Sequence, residues 1–128
     1  MKEPRWVLNE TVKALNESLL GEFGGLGGIR DEGLLESAMA RPLQLHSFRD
    51  PDLFELAAAY AYGLVRNYPF LDGNKRTGFT AAVLFLELNG CRFGASEIEA
   101  TVKTLALAAC DMSEAEYAKW LEANSVRR

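Results

Sequence analysis

Apolar residues recur at three- and four-residue spacing along most of the chain, which is the pattern of helices with one buried face. The first such stretch runs from about Arg5 to Gly21. Its apolar positions are Leu8, Val12, Leu15 and Leu19. No stretch alternates apolar and polar residues for long, and alanine, leucine and glutamate, which favour helices, dominate. The pattern therefore predicts an all-α protein.

Two later stretches are apolar on nearly every face, which is typical of central, buried helices. The first extends from Asp52 to about Asn67, and the second extends from Asn74 to about Leu88. Residues 68–73 form a short loop between them. We therefore expect two central helices that flank this loop.

Residues that cap helices mark the starts of three further helices. Asp31 precedes an apolar segment that we expect to end at Pro42, because proline lacks the amide hydrogen that a helix interior uses. A polar loop containing His46 is expected to follow. Ser96 and Ser113 each stand three residues before a glutamate, and this spacing predicts two capping boxes.

The connections between helices are short. Residues 24–28 read Gly-Gly-Leu-Gly-Gly, and no strand precedes them, so we interpret them as a turned or flexible loop rather than a dinucleotide-binding fingerprint. A short hairpin is compatible with residues 43–49 or 91–93. The pattern as a whole predicts a single domain, residues 1–128, built as a bundle of about six or seven helices.

Composition narrows the class of protein. The chain has 128 residues, of which 48% are hydrophobic and 25% charged, as in ordinary soluble domains. Its net charge of −4 argues against a dedicated nucleic-acid binder, which usually has a basic face. Any site for an anion must therefore be local.

Two further features predict a cytoplasmic protein with no membrane partner. Residues 1–6 lack the apolar core of a secretory leader, and the most apolar stretch, Phe79 to Leu86, is too short to span a bilayer. Cys91 and Cys110 have neither pairing nor zinc-ligand spacing, so we expect reduced cysteines in or near the core.

The loop between the two central helices holds a dense polar cluster, Asp72 to Arg76, at a helix start. The first amides of a helix lack internal partners, and the helix dipole is positive there, so both favour a bound phosphate. Lys75 and Arg76 oppose that dipole, which suggests that an anion compensates them. Spacing alone also fits an ordinary turn, in which Asp72 or Asn74 caps the helix.

The order of residues 68–76, Tyr-Pro-Phe-Leu-Asp-Gly-Asn-Lys-Arg, closely resembles the Fic/Doc superfamily signature in its Doc branch, His-x-Phe-x-Asp/Asn-Gly/Ala-Asn-Lys-Arg. Residues 28–38, 52–55 and 85–90 resemble other segments of that branch, so the resemblance covers roughly residues 24–121. Family members that transfer adenylyl groups carry glycine at the position of Lys75 and arginine at that of Phe79. The resemblance therefore implies the Fic/Doc fold and the Doc branch.

Doc-like proteins are bacterial toxins that phosphorylate elongation factor Tu and are neutralised by a cognate antitoxin. The resemblance thus implies ATP as substrate, Mg²⁺ as cofactor, elongation factor Tu as acceptor and an antitoxin segment, expected to be helical, as partner. Asp72 would bind Mg²⁺ or position the acceptor, and Phe70 would anchor the loop. The implied nucleotide- and phosphate-binding residues are Gly73, Asn74, Lys75, Arg76 and, as a weaker candidate, Arg66. The oligomeric state stays open between monomer and homodimer.

Tyr68 departs from the signature, because the family carries its catalytic histidine there. In the family this histidine is a general base, a role that contributes about 10²–10⁴-fold to the rate. Histidine ordinarily titrates near pH 6.5 and tyrosine near pH 10. We therefore expect severely weakened catalysis, through either an inactivating substitution or a homologue that binds without reacting. The alternatives are an adenylyltransferase, a nucleotide-binding pseudoenzyme and a helical partner-binding domain.

Overall fold

The computed structural model describes residues 3–128 and confirms the all-α prediction. Six helices form the bundle: α1 (Asn9–Phe23), α2 (Glu32–Phe48), α3 (Leu53–Asn67), α4 (Asn74–Leu88), α5 (Glu97–Ala108) and α6 (Glu114–Ala123). Two short strands accompany them, β1 (Cys91–Phe93) and β2 (Ser125–Arg127). Within residues 3–128, every helix falls short of the length and apolar character that a bilayer crossing demands.

The two helices that flank the loop are central, as predicted. α3 is buried along almost its whole length and contacts α2, α4, α5 and α6. α4 contacts α1, α3, α5 and β1. The two helices cross closely at Gly78, where an added Cβ would lie 3.2 Å from the Ala61 carbonyl oxygen. Because α3 and α4 are packed so tightly, the loop between them starts and ends on rigid elements.

The predicted end of α2 at Pro42 is wrong. The helix continues through Pro42 to Phe48, so His46 lies in its last turn rather than in a loop. Proline inside a helix is unfavourable by about 3 kcal/mol, and burial of this face offsets that penalty. Pro42 is buried, and α2 approaches α3 so closely that a Cβ at Gly63 would lie 3.0 Å from the Ala38 carbonyl oxygen.

The predicted helix caps are present. Asp31 accepts a hydrogen bond from the Leu34 amide, and Ser113 and Glu116 form both bonds of a capping box. The box predicted at Ser96 is only half formed: the serine accepts from the Glu99 amide, but the Glu99 carboxylate accepts from Trp120 Nε1 at 2.6 Å. Glu99 therefore ties α5 to α6 instead of completing its own cap.

The sequence left open a short hairpin at residues 43–49 or 91–93, and neither forms within residues 3–128. Residues 43–48 belong to α2, and residues 91–93 form the single strand β1. This strand pairs antiparallel with β2, so that Cys91 lies opposite Arg127. Cys91 is buried as expected, but Cys110 is exposed, since it lies just past the end of α5 in a left-handed backbone conformation (φ 64°). Both cysteines are free.

Candidate phosphate-binding site

The loop from residue 68 to residue 73 is fixed from within by one buried side chain. Asn74 Oδ1 accepts from the Phe70 amide, and Asn74 Nδ2 donates to the Phe70 carbonyl, both at 2.9 Å. Phe70 is itself buried in the core, as predicted. The Asn74 side chain is thus occupied in shaping the loop, and its contribution to an anion would come from its backbone amide.

Asn16, on α1, fixes the same loop from outside. It is almost fully buried, and its Nδ2 donates to the Asp72 carbonyl at 2.9 Å and to Thr77 Oγ1 at 3.2 Å. The role of Asn16 was not predicted from the sequence. The available signal was its position four residues after Val12, on the face of α1 that is otherwise apolar.

The start of α4 is open. Its N-cap is Gly73, in a left-handed conformation (φ 79°) and with no side chain to accept from the first amides. The first turn contains no acidic residue, whereas α2, α3, α5 and α6 all begin with a capping side chain and an acidic residue. The free amides and positive dipole end of α4 are therefore left for a ligand.

Two cations stand beside this open end. Lys75 Nζ lies 5.4 Å from the centroid of the Tyr68 ring, and the Arg76 guanidinium lies 3.7 Å from that of the Phe23 ring. Within residues 3–128, neither cation takes part in an ion pair. Their positive charge is therefore held against aromatic faces without being neutralised.

Both cations line one cavity of about 380 Å³ between α1, α4 and α5. Its apolar walls include Leu19, Phe79 and Leu105. The two cations share one concavity instead of pointing apart into bulk water, as a phosphate site requires. Glu22 and Glu97 line the same cavity, whereas residues 68–74 are not among its lining residues. Phe79, one of the residues by which the chain differs from the adenylyl-transferring pattern, lines the same cavity.

Asp72 faces the glycine-rich segment, residues 24–28. Its Oδ2 accepts from the Leu26 amide at 2.8 Å, and a Cβ at Gly25 would lie 3.2 Å from the Asp72 Cβ. The carboxylate is exposed, so Oδ1 is the oxygen that remains for a metal. No group of three or more metal-ligating side chains occurs within residues 3–128. Mg²⁺ commonly takes one or two carboxylates plus phosphate oxygens, so a single aspartate fits it only together with a nucleotide.

Two arginines flank the loop in different ways. Arg66 donates to the Ala108 carbonyl at the end of α5 (3.0 Å), so its guanidinium has a structural partner, and its predicted phosphate contact stays a prediction. Arg30 was not predicted. Its Nε donates to the Tyr68 carbonyl at 2.6 Å and its Nη2 to the Asn67 carbonyl at 2.9 Å.

The structure is thus an all-helical bundle in which the start of one central helix, α4, has no side-chain cap and is flanked by two cations. A family model described as the Fic/DOC family matches residues 6–86. The chain is 40% identical over 96 residues to Toxin Doc of Mycolicibacterium smegmatis, a match that covers 70% of this chain and 74% of that protein. It is 36% identical over 87 residues to Protein kinase doc of Escherichia phage P1, covering 67% and 69%. The chain belongs to the Fic/Doc family.

Proposed function

We propose that this protein is a Doc-type toxin, a phosphotransferase that moves the γ-phosphate of ATP to elongation factor Tu in the cytoplasm. The observation that carries the proposal is the convergence of Lys75 and Arg76 on one cavity at the uncapped start of α4. The relatives named as toxin and as protein kinase support phosphate transfer over transfer of an adenylyl group. The cavity-lining Phe79 supports it as well, since it cannot bind a further phosphate.

In the proposed complex, the phosphates lie against the amides of the first turn of α4, and Lys75 and Arg76 hold their oxygens. Asp72 would hold Mg²⁺ together with these oxygens, and the ion's charge would offset that of the phosphates. The acceptor hydroxyl oxygen bonds to the γ-phosphorus, the bond from that phosphorus to the β,γ-bridging oxygen breaks, and ADP leaves. The hydroxyl proton must pass to a base, which in this family is the residue at position 68.

We propose that Tyr68 makes the chain strongly impaired in this step. A phenol ordinarily keeps its proton at neutral pH, so it can donate a hydrogen bond but is a poor proton acceptor. Most of the remaining site does not depend on this residue, because the loop is shaped by Asn74 and Asn16 and the cations come from α4. Of these groups, Lys75 contacts it, through the face of the Tyr68 ring. Nucleotide binding should therefore survive while transfer is lost.

The change Tyr68→His tests this proposal. We expect transfer of label from γ-phosphate-labelled ATP to elongation factor Tu to rise by about 10²–10⁴-fold, together with growth arrest on expression in bacteria. Tyr68→Phe is the matched control and should give no gain. Label from the α-phosphate in place of the γ-phosphate would indicate an adenylyltransferase.

Other outcomes separate the remaining alternatives. ATP binding that falls on Lys75→Ala, with no activity in Tyr68→His, would indicate a nucleotide-binding pseudoenzyme. Calorimetry that detects no ATP binding in the presence of Mg²⁺ would leave only a helical interaction domain.

We further propose that a helical antitoxin segment covers the groove beside the site. Three exposed apolar residues follow one face of α5 with spacings of four and three: Ile98, Val102 and Leu105. Phe23, half-exposed on α1, borders the same cavity as Leu105. Such a stripe suits the apolar face of a second helix.

Co-expression in the Tyr68→His background tests the antitoxin proposal. The product of the gene adjacent to the toxin should restore growth, and Val102→Glu should abolish that rescue while leaving toxicity intact. Val126→Glu, at an exposed valine on β2, is the control and should leave rescue unchanged.

A further inference from the structure

Within residues 3–128, two residues other than glycine have a left-handed backbone, Tyr68 (φ 51°) and Cys110 (φ 64°). Each follows the last turn of a helix, Tyr68 that of α3 and Cys110 that of α5. For a residue with a side chain this conformation is unfavourable by about 1–2 kcal/mol. Each position therefore needs surrounding contacts that hold it.

At Cys110 the backbone supplies these contacts. The amides of Asp111 and Met112 both donate to the Ala106 carbonyl, at 2.9 and 3.2 Å, and the Cys110 amide donates to the Leu107 carbonyl at 3.3 Å. Returning bonds of this kind are the usual way in which a left-handed residue closes a helix. The turn at Cys110 is therefore closed by backbone bonds, and the Arg66 guanidinium donates in addition to the carbonyl of Ala108, the last residue of α5.

At Tyr68 the same solution is blocked. The next residue, Pro69, has no amide hydrogen, and the Phe70 amide is bonded to Asn74 Oδ1. The carbonyls of Asn67 and Tyr68 instead receive the Arg30 guanidinium, at 2.9 and 2.6 Å. A cation at this end of a helix is also favoured by the helix dipole.

Arg30 is itself held in place by the loop that it contacts. Its amide and that of Asp31 both donate to the Pro69 carbonyl, at 2.7 and 3.1 Å, and Asp31 caps α2. The neighbouring residues Ile29 and Phe70 form an isolated antiparallel bridge. The backbone of Arg30 is therefore fixed, so its guanidinium can hold the backbone conformation of Asn67 and Tyr68.

We propose that Arg30 is a positioning residue for position 68. It holds the left-handed turn that places this side chain beside Lys75, whose Nζ lies 5.4 Å from the Tyr68 ring centroid. Its effect on catalysis rests on the proposed phosphotransfer, but its effect on the turn does not. Arg30 bonds to the end of α3 and not to the start of α4. Its loss should therefore displace the side chain at position 68 without weakening phosphate binding by Lys75 and Arg76.

The kinetic test uses the Tyr68→His background. We expect Arg30→Ala to lower kcat by roughly 10- to 100-fold, since small misplacements of a catalytic group have effects of this size. The KM for ATP should change less than about twofold, because the first turn of α4, with Lys75 and Arg76, is intact. Arg30→Lys should recover part of the rate, because an ammonium can reach one carbonyl. Arg49→Ala removes another exposed arginine, which pairs with Glu55, and should have little effect on either constant.

A second measurement needs no activity. In the chain with Tyr68 in place, Arg30→Ala should shift the NMR resonances of residues 67–70 and leave those of α6 unchanged, with a smaller shift for the milder Arg30→Lys. Displaced resonances together with an inactive Tyr68→His form would support the positioning role and reject the proposed phosphotransfer. Unchanged resonances in both variants, or a KM that rises as much as kcat falls, would overturn the inference.

Discussion

The starts of α4 and α6 meet the same physical requirement in opposite ways. Every helix begins with amides that have no partner inside the helix. At α6, Ser113 Oγ accepts from the Glu116 amide at 3.0 Å, and the Glu116 carboxylate accepts from the Ser113 amide at 2.8 Å. At α4, the N-cap is Gly73, which has no side chain to accept from the first amides. The first turn of α4 contains Lys75 and no acidic residue.

The difference separates stability from binding. The start of α6 is completed by its own residues and an acidic first turn, so it gains nothing from an added anion. The start of α4 combines free amides, the positive end of a dipole and two cations that form no ion pair within residues 3–128, so under the proposed function a bound anion would complete it. On that proposal, sequence features that are unfavourable for a helix mark the binding end of this protein.

The largest effect is expected when an acidic residue is placed in the first turn of α4, as in α6. Lys75→Glu should weaken ATP binding by at least about tenfold, since a hydrogen bond to a charged group contributes about 1.5–3 kcal/mol. The same change should raise the free energy of unfolding by about 0.3–1 kcal/mol through the helix dipole. Calorimetry and urea denaturation measure the two effects. Lys119→Glu in α6 is the control and should leave ATP affinity unchanged. An unchanged ATP affinity in Lys75→Glu would refute the proposal that the start of α4 binds phosphate.

The next effect concerns the glycine that leaves α4 uncapped. Gly73→Ala should lower the free energy of unfolding by about 1–2 kcal/mol, because alanine resists the left-handed conformation. Its Cβ would also lie 3.2 Å from Asn16 Nδ2. Gly21→Ala, inside α1 with no atom within 4 Å of the new Cβ, should instead raise stability by roughly 0.5–1 kcal/mol. Equal effects at both positions would show that the turn at Gly73 is not required.

A smaller effect is expected at the capping box that begins α6. Ser113→Ala removes the acceptor for the Glu116 amide and should lower the free energy of unfolding by about 1 kcal/mol. Ser37→Ala, at an exposed position within α2, serves as the control and should be close to neutral. Denaturation curves that coincide for the two variants would mean that the cap adds no stability.

The smallest effect depends on pH. Hydrogen bonds with Ser113 hold the pKa of Glu116 below its ordinary value of 4.5, and the bond from the Ser113 backbone contributes more than that with its side chain. A lowered pKa in the folded state contributes stability that is present above the ordinary value and is lost as the pH falls through the folded value. Wild type should therefore exceed Glu116→Ala in stability at pH 7, and acidification should reduce the difference. A difference that grows on acidification would contradict this assignment.

Local patterns were sufficient for much of the fold. Asp31, Ser96 and Ser113 marked helix starts because a cap acts within three residues of its own position. The length of α2 was not predictable in this way, since Pro42 is tolerated only because its face is buried against other elements. β2 was missed because its partner, β1, lies more than thirty residues earlier in the chain.

The site was predictable where its residues are consecutive. Residues 72–76 form one segment, and their order carried the resemblance to the family. Asn16 and Arg30 reach the loop from α1 and from the segment before α2, and their contacts depend on tertiary packing. A polar residue on an apolar helix face was a usable signal for Asn16, whereas Arg30 resembled any exposed arginine.

The close crossing of α2 and α3 at Gly63 has a genetic consequence. The Arg30 segment leads into α2, and Tyr68 directly follows α3, so the spacing of these two helices also sets the spacing of the groups that hold the loop. Even a methyl group at position 63 would push the helices apart. Survivors selected from cells that express a reactivated toxin should therefore include substitutions at Gly63, far along the chain from the loop, alongside those in the loop itself.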